Sequence, residues 1–179
     1  SSIFFSSYGM LLTSFFGDYK SSYEFGLLAL KLSEKNNNPD LKCKVLATFA
    51  NIVSYWFKHL KNSEAVNNEA YQAALDSGSL EYAGYALHNK VINLFMQGKN
   101  IASILIEIPK YLQFTQKTKN QLSTDMLTGL QLILRNLSRL AQDRESLDTD
   151  EISETEYIKG CEEHQNFLSL STYKLIKLQ

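Results

Sequence analysis

Phe49-Ala50-Asn51-Ile52-Val53-Ser54-Tyr55-Trp56 carries a large residue at 49, an adjacent apolar pair at 52 and 53, and another large residue at 56. Side chains at i, i+3, i+4 and i+7 line one stripe of an α-helix, as in the first helix of a tetratricopeptide unit. One such quartet decides nothing, because every amphipathic helix contains some. Its copies decide the fold. Tyr8, Leu11, Leu12 and Phe15 fit the same template, as do His88, Val91, Ile92 and Phe95, then Leu130, Ile133, Leu134 and Leu137. A weaker fifth copy begins at Thr172 with Leu175 and Ile176. The anchors at 8, 49, 88, 130 and 172 recur every 39–42 residues, a period within the range of helical-repeat proteins.

Turn signals fall between the copies. Gly17-Asp18-Tyr19, Lys61-Asn62-Ser63 and Gly98-Lys99-Asn100 each follow a first helix. Asn38-Pro39 offers an N-cap and a proline at the first helical position. Gly78 ends one helix and Ser79 caps the next. Thr118–Gln121 and Ser153–Glu156 read as capping boxes. The expected first helices are 3–15, 41–60, 79–97, 119–141 and 166–179, and the second helices 18–35, 63–77, 100–118 and 153–165. Pro109 is expected to kink or split its helix. Residues 142–152, acidic and without apolar periodicity, read as a solvated loop. The fold class is therefore all-α: an α-α superhelix, a tetratricopeptide-like solenoid of antiparallel hairpins. It forms a single domain over 1–179, with about four hairpins and a truncated fifth helix. Leu12, Phe15, Ile52, Trp56, Val91, Phe95, Ile133 and Leu137 are expected in its core.

Composition agrees with this class and excludes others. Two prolines and eight glycines among 179 residues are too few for the turns of a β-sandwich. The net charge of −1, with 18 basic residues scattered among 19 acids, offers no phosphate-binding surface, so nucleic acid is not an expected partner. No apolar run reaches membrane-spanning length, so no membrane is expected either. Cys43 and Cys161 fit neither a disulfide framework nor a zinc spacing, which suits the cytoplasm.

Catalytic signatures are missing: there is no Gly-rich phosphate cradle, no kinase loop and no nucleophile elbow. Cys161 and His164, one helical turn apart beside Glu162 and Glu163, are the nearest thing to a constellation, and they read as a half-buried cysteine and a surface histidine. Asp148-Thr149-Asp150-Glu151 lacks the spacing of a helical metal-dependent enzyme. His88, on the packing face, reads as a core-edge histidine. The sequence therefore assigns no catalytic, metal or cofactor residue. Phe4, Phe5, Phe15, Phe16, Tyr55, Trp56 and Phe57 read as helix-packing residues rather than a ligand pocket. Lys90, Asn93, Gln97 and Lys99 are candidates for a peptide-binding concave face, with plain solvated surface as the other reading.

Tyr8-Gly-Met-Leu-Leu-Thr-Ser-Phe-Phe-Gly-Asp-Tyr19, Leu80-Glu-Tyr-Ala-Gly-Tyr-Ala-Leu-His88, and Cys161-Glu-Glu-His-Gln-Asn166 leading into Tyr173-Lys-Leu together resemble a known region. It is the helical middle region of large bacterial signalling proteins of cyanobacterial type. Those proteins join a serine/threonine kinase, a STAND-type ATPase module, this repeat, a GAF sensor and a histidine kinase. The resemblance implies a non-catalytic scaffold or regulatory region that contacts neighbouring domains. The rival readings are a free-standing peptide-binding adaptor and an all-helical enzyme. Both ends read as cuts through a longer chain. Ile3, Phe4 and Phe5 at one end, and Tyr173, Leu175, Ile176 and Leu178 at the other, are expected to be exposed and to favour a dimer.

Overall fold

A computed structural model describes residues 1–138 and 152–177, apart from the Ile176 side chain. Most of the expected acidic loop 142–152 lies outside the described residues. All regular structure among the described residues is helical. Helix α1 (Ser2–Leu11) runs into a π-turn (Leu12–Phe16), and α2 spans Tyr19–Lys35. Helix α3 (Pro39–Thr48) passes through a second π-turn (Phe49–Val53) into a 3-10 turn (Ser54–Trp56). Then follow α4 (Asn62–Ser77), α5 (Leu80–Met96), α6 (Ile101–Lys117), α7 (Gln121–Ser138), α8 (Glu154–Glu163) and α9 (Phe167–Lys177). Pro109 lies inside an unsplit α6. It sits on the exposed face, where its ring displaces no packed neighbour. The contacts divide the chain into two compact units, Ser1–Asn93 and Leu94–Gln179.

One corner chemistry recurs. A residue in the left-handed region is followed directly by an Asp or Asn whose side chain caps the next helix. The pairs are Gly17–Asp18, Asn37–Asn38, Lys119–Asn120 and Gln165–Asn166, with φ of 64°, 45°, 55° and 55° at the first residue. Asp18 accepts from Ser21 N at 3.0 Å, Asn38 from Leu41 N at 3.1 Å, Asn120 from Ser123 N at 3.1 Å and Asn166 from Ser169 N at 3.1 Å. Each such cap is worth about 1 kcal/mol. The expected capping boxes do not form. The Thr118 hydroxyl bonds back to Phe114 O at 2.9 Å, leaving the cap to Asn120, and the Ser153 side chain makes no cap bond.

In the first unit α1 packs on α2 and α3, and α3 packs on α4. The α1–α2 seam is built from small residues: Ser2, Ser6, Gly9 and Thr13 are buried on one side, and Ser22, Gly26, Ala29 and Ser33 on the other. Ser22 Oγ donates to Gly9 O at 2.7 Å and lies 2.6 Å from Thr13 Oγ1. Such contacts need the backbones close, and the large residues are displaced to the edges, where Tyr8 and Phe5 meet Phe25. In the second unit α6 packs on α7, α7 packs on α8 and α9, and α8 packs on α9. Leu132, Ile133, Tyr157, Cys161, Leu170 and Tyr173 form a core cluster there.

Leu12, Val91 and Ile133 are buried as expected, and Ile52, Phe95 and Leu137 are half-buried. Phe15 and Trp56 are not: they are 77% and 60% exposed. Phe15 lies within a π-turn and Trp56 just after one, and the wider i→i+5 spacing rotates such residues off the α-helical stripe. At the ends of the chain, Ile3, Phe4 and Leu175 are exposed and Phe5 is half-buried. Tyr173 is buried against Tyr157. Leu178 lies outside the described residues, as does the Ile176 side chain.

Side-chain bonds at a separation near the sequence period tie each unit together. Ser79 donates to Asp40, thirty-nine positions away, and Tyr55 Oη lies 2.7 Å from Asn93 Oδ1, thirty-eight positions away. In the second unit Asn166 Nδ2 donates to Asp125 Oδ2 at 3.0 Å across forty-one positions. Ser79 and Asn166 stand immediately before α5 and α9, so an acid near the start of α3 or α7 holds the residue that opens a helix about one period later.

Two helical glycines yield a matched pair of predictions. A Cβ on Gly26 would lie 2.6 Å from the packed ring of Phe49, whereas on Gly160 the nearest atom would be 3.8 Å away. Gly26→Ala is expected to lower stability by about 1–3 kcal/mol through overpacking. Gly160→Ala, inside α8, should be neutral or stabilising by up to about 1 kcal/mol. Urea unfolding of both variants checks the contrast.

Candidate functional site

The four residues singled out in the sequence do not share one environment. Lys90 and Gln97 are half-buried and Lys99 is exposed, whereas Asn93 is only 2% exposed. Asn93 belongs to a polar network in the first unit. Asn51 Nδ2 donates to Asn67 Oδ1 at 3.0 Å, and Tyr55 Oη lies 2.9 Å from Asn51 Oδ1. Tyr55 has one hydrogen for two amide oxygens. With the Asn93 amide turned to donate to Oη, the hydroxyl can donate to Asn51, and the Asn93 amino group, otherwise buried without a partner, is satisfied.

His88 is also buried, with Nδ1 unpartnered. Burial lowers its pKa from 6.5 to about 4, against a smaller opposing effect of Asn89. A neutral imidazole enclosed in this way is a core residue, as its place on the packing face suggested.

The second unit assembles the constellation noted around Cys161 and His164, with one member that sequence spacing does not reveal. Asp125, buried on α7, receives His164 Nδ1 at 3.1 Å, Asn166 Nδ2 at 3.0 Å and Gln121 Nε2 at 2.8 Å. His164 is exposed and Cys161 is fully buried rather than half-buried. Burial chiefly raises the Cys161 thiol, with Asp125 and Glu162 adding to the effect and a hydrogen bond to Tyr157 opposing it. Burial likewise pushes the Tyr157 hydroxyl well up. The bonds to Asp125 tie the residue that opens α9 and His164 after α8 to α7. Among the described residues, no group of three or more His, Cys, Asp or Glu side chains is arranged to hold a metal.

A cleft of about 340 Å³ opens in the first unit among Ser33, Glu34, Asn38, Lys42, Glu69 and Asp76. Its lysine is already bridged to Glu69 at 2.6 Å.

The most distinctive surface is aromatic. Tyr19 and Tyr23, one turn apart on α2, each carry a parallel ring from the corner after α3. Trp56 stacks on Tyr19 at 5.0 Å between centroids, and Phe57 on Tyr23 at 4.5 Å. Lys58 Nζ lies 5.6 Å from the Tyr23 centroid and 5.7 Å from that of Phe57. Phe15 and Phe16, at the corner preceding α2, are about three-quarters exposed. Phe15, Phe16, Trp56 and Phe57 are exposed, and of these Trp56 and Phe57 keep part of the expected packing role by stacking on α2. Leaving one such side chain in water forgoes about 1.5–3 kcal/mol.

No family model and no solved structure matches this chain. Over 100 residues it is 28% identical to hybrid signal transduction histidine kinase G of Dictyostelium discoideum. The matched stretch is 55% of this chain and 3% of that protein. The chain thus spans a small fraction of the length of its curated relative.

Two outcomes test the polar centres. Asn166→Ala removes both a cap and an Asp125 bond, and is expected to cost about 1–3 kcal/mol. Asn166→Ser, which retains a capping oxygen, should recover part of that loss in thermal unfolding. For His88 the sign follows from its lowered pKa. Above pH 6.5 both states are neutral and the group has no effect. Between pH 6.5 and about 4 the unfolded chain takes up a proton that the native state excludes, so stability falls with falling pH. The full loss is about 3 kcal/mol. Denaturant titrations across this range should show His88→Leu with a correspondingly flatter pH dependence.

Proposed function

We propose that this chain is a non-catalytic, tetratricopeptide-like helical-repeat region of a multidomain signalling protein, and that it contacts neighbouring domains or a protein partner. The observation that carries the reading is the repeat-spaced bonding in each unit. Asp40 to Ser79 and Asp125 to Asn166 link helix starts 39 and 41 positions apart. That separation matches the repeat spacing of the sequence anchors and supports a reading as stacked hairpins. The likeness to a stretch of a hybrid signal transduction histidine kinase supports the signalling context. The raised thiol of Cys161 and the lack of an activated nucleophile among the described residues support a binding role over an enzymatic one. Exposed Ile3, Phe4 and Leu175 fit pairing through the terminal helices, as the sequence suggested.

Calorimetry with Mg-ATP is the direct test. The chain is expected to give no saturable heat and to transfer no phosphate. Micromolar nucleotide binding would overturn the non-catalytic assignment.

A further inference from the structure

We infer that the aromatic corner formed by Tyr19, Tyr23, Trp56, Phe57, Phe15 and Phe16 is a docking surface for an acidic peptide segment bearing apolar anchor residues. This inference rests on the interaction role proposed above and names the partner's chemistry.

The surface is built, not frayed. Two π-turns, Leu12–Phe16 and Phe49–Val53, precede or end in the exposed rings. Such turns recur at functional sites because they re-aim side chains that an unbroken helix would bury. The outward rings then lock against α2: Tyr19 and Trp56 are stacked within 17° of parallel, and Tyr23 and Phe57 within 15°. Phe49, 6% exposed, packs behind Tyr23 at 5.5 Å. Rings fixed in this way lose little freedom when a partner covers them. Trp56 remains 60% exposed and Phe57 47% exposed despite their stacks, so apolar surface is still available to an incoming side chain.

Charge selects the partner. Trp56-Phe57-Lys58-His59-Leu60-Lys61 contains no carboxylate, and none occurs anywhere from 41 to 63. Lys58 lies over two of the rings, and Lys61, three residues on, is exposed. Asp18, which caps Ser21 N, interacts with the charge of Lys20, so Lys58 and Lys61 are the cations the corner presents. Carboxylates flanking an apolar anchor would meet these lysines, and a basic segment would be repelled.

Trp56 is the sole tryptophan of the chain, so its fluorescence reports this corner alone. The whole chain is titrated with two short peptides that share phenylalanine and leucine anchors, one alternating them with glutamate and the other with lysine. Anionic phosphatidylserine vesicles form a third arm. The glutamate peptide is expected to give a saturable blue shift that weakens with added salt. Lys58→Glu combined with Lys61→Glu should weaken it at least tenfold and bring the lysine peptide into binding. Both positions are exposed, and circular dichroism confirms that the variant is folded. Equal binding of both peptides, no saturable shift with either, or a shift produced only by vesicles would overturn the inference. None of those results alters the nucleotide test above, so the two readings fail separately.

Discussion

The carboxylates of Asp40 and Asp125 each hold the residue that opens a helix about one period further along. Ser79 precedes α5 and Asn166 precedes α9, so each bond joins two helix beginnings that are remote in sequence. Closing a loop of that length costs entropy that one hydrogen bond does not repay. The intervening hairpin must therefore already be packed when the bond forms. Between Asp40 and Ser79 the packing of α3 on α4 provides this, and the bond then ties the start of α3 to the residue that opens α5.

The helices and their turns were legible because they depend on local chemistry. Asn38-Pro39, Gly78 and the quartet at Leu130–Leu137 work within a few residues, and the structure places each where its pattern implies. What the sequence hid were matters of phase and distance. Phe15 and Trp56 continue an α-helical stripe on paper, but a π-turn carries them to the surface. In α1 the buried face belongs to Ser2, Ser6 and Gly9, because close backbone approach outweighs side-chain size there. The partnership of Asp125 with His164 has no sequence signal beyond a separation near the repeat length. Thr118 and Asn120 both suit a cap, and only the left-handed conformation of Lys119 decides between them.

Two kinds of polar cluster divide the labour. Those in the interior, around Asn51 and Asn67 in one unit and Asp125 in the other, join side chains from different elements. Their titratable members are quenched, His88 by burial and Cys161 by burial beside a carboxylate. The stacked rings of Tyr19 with Trp56 and Tyr23 with Phe57, beside Lys58, are the outward counterpart.

The π-turns also bear on how the repeats accommodate differences in length. A π-turn is an α-helix that has taken in one surplus residue without lengthening the loops at its ends. Leu12–Phe16 follows α1 and Phe49–Val53 follows α3 without a break in the helical run. A single-residue insertion can thus be absorbed as a bulge inside a helix while the corners, with their left-handed residues and caps, stay in place. The surplus appears as a rotated surface, so one codon gained or lost in such a helix would change which side chains face outward while the corners keep their places.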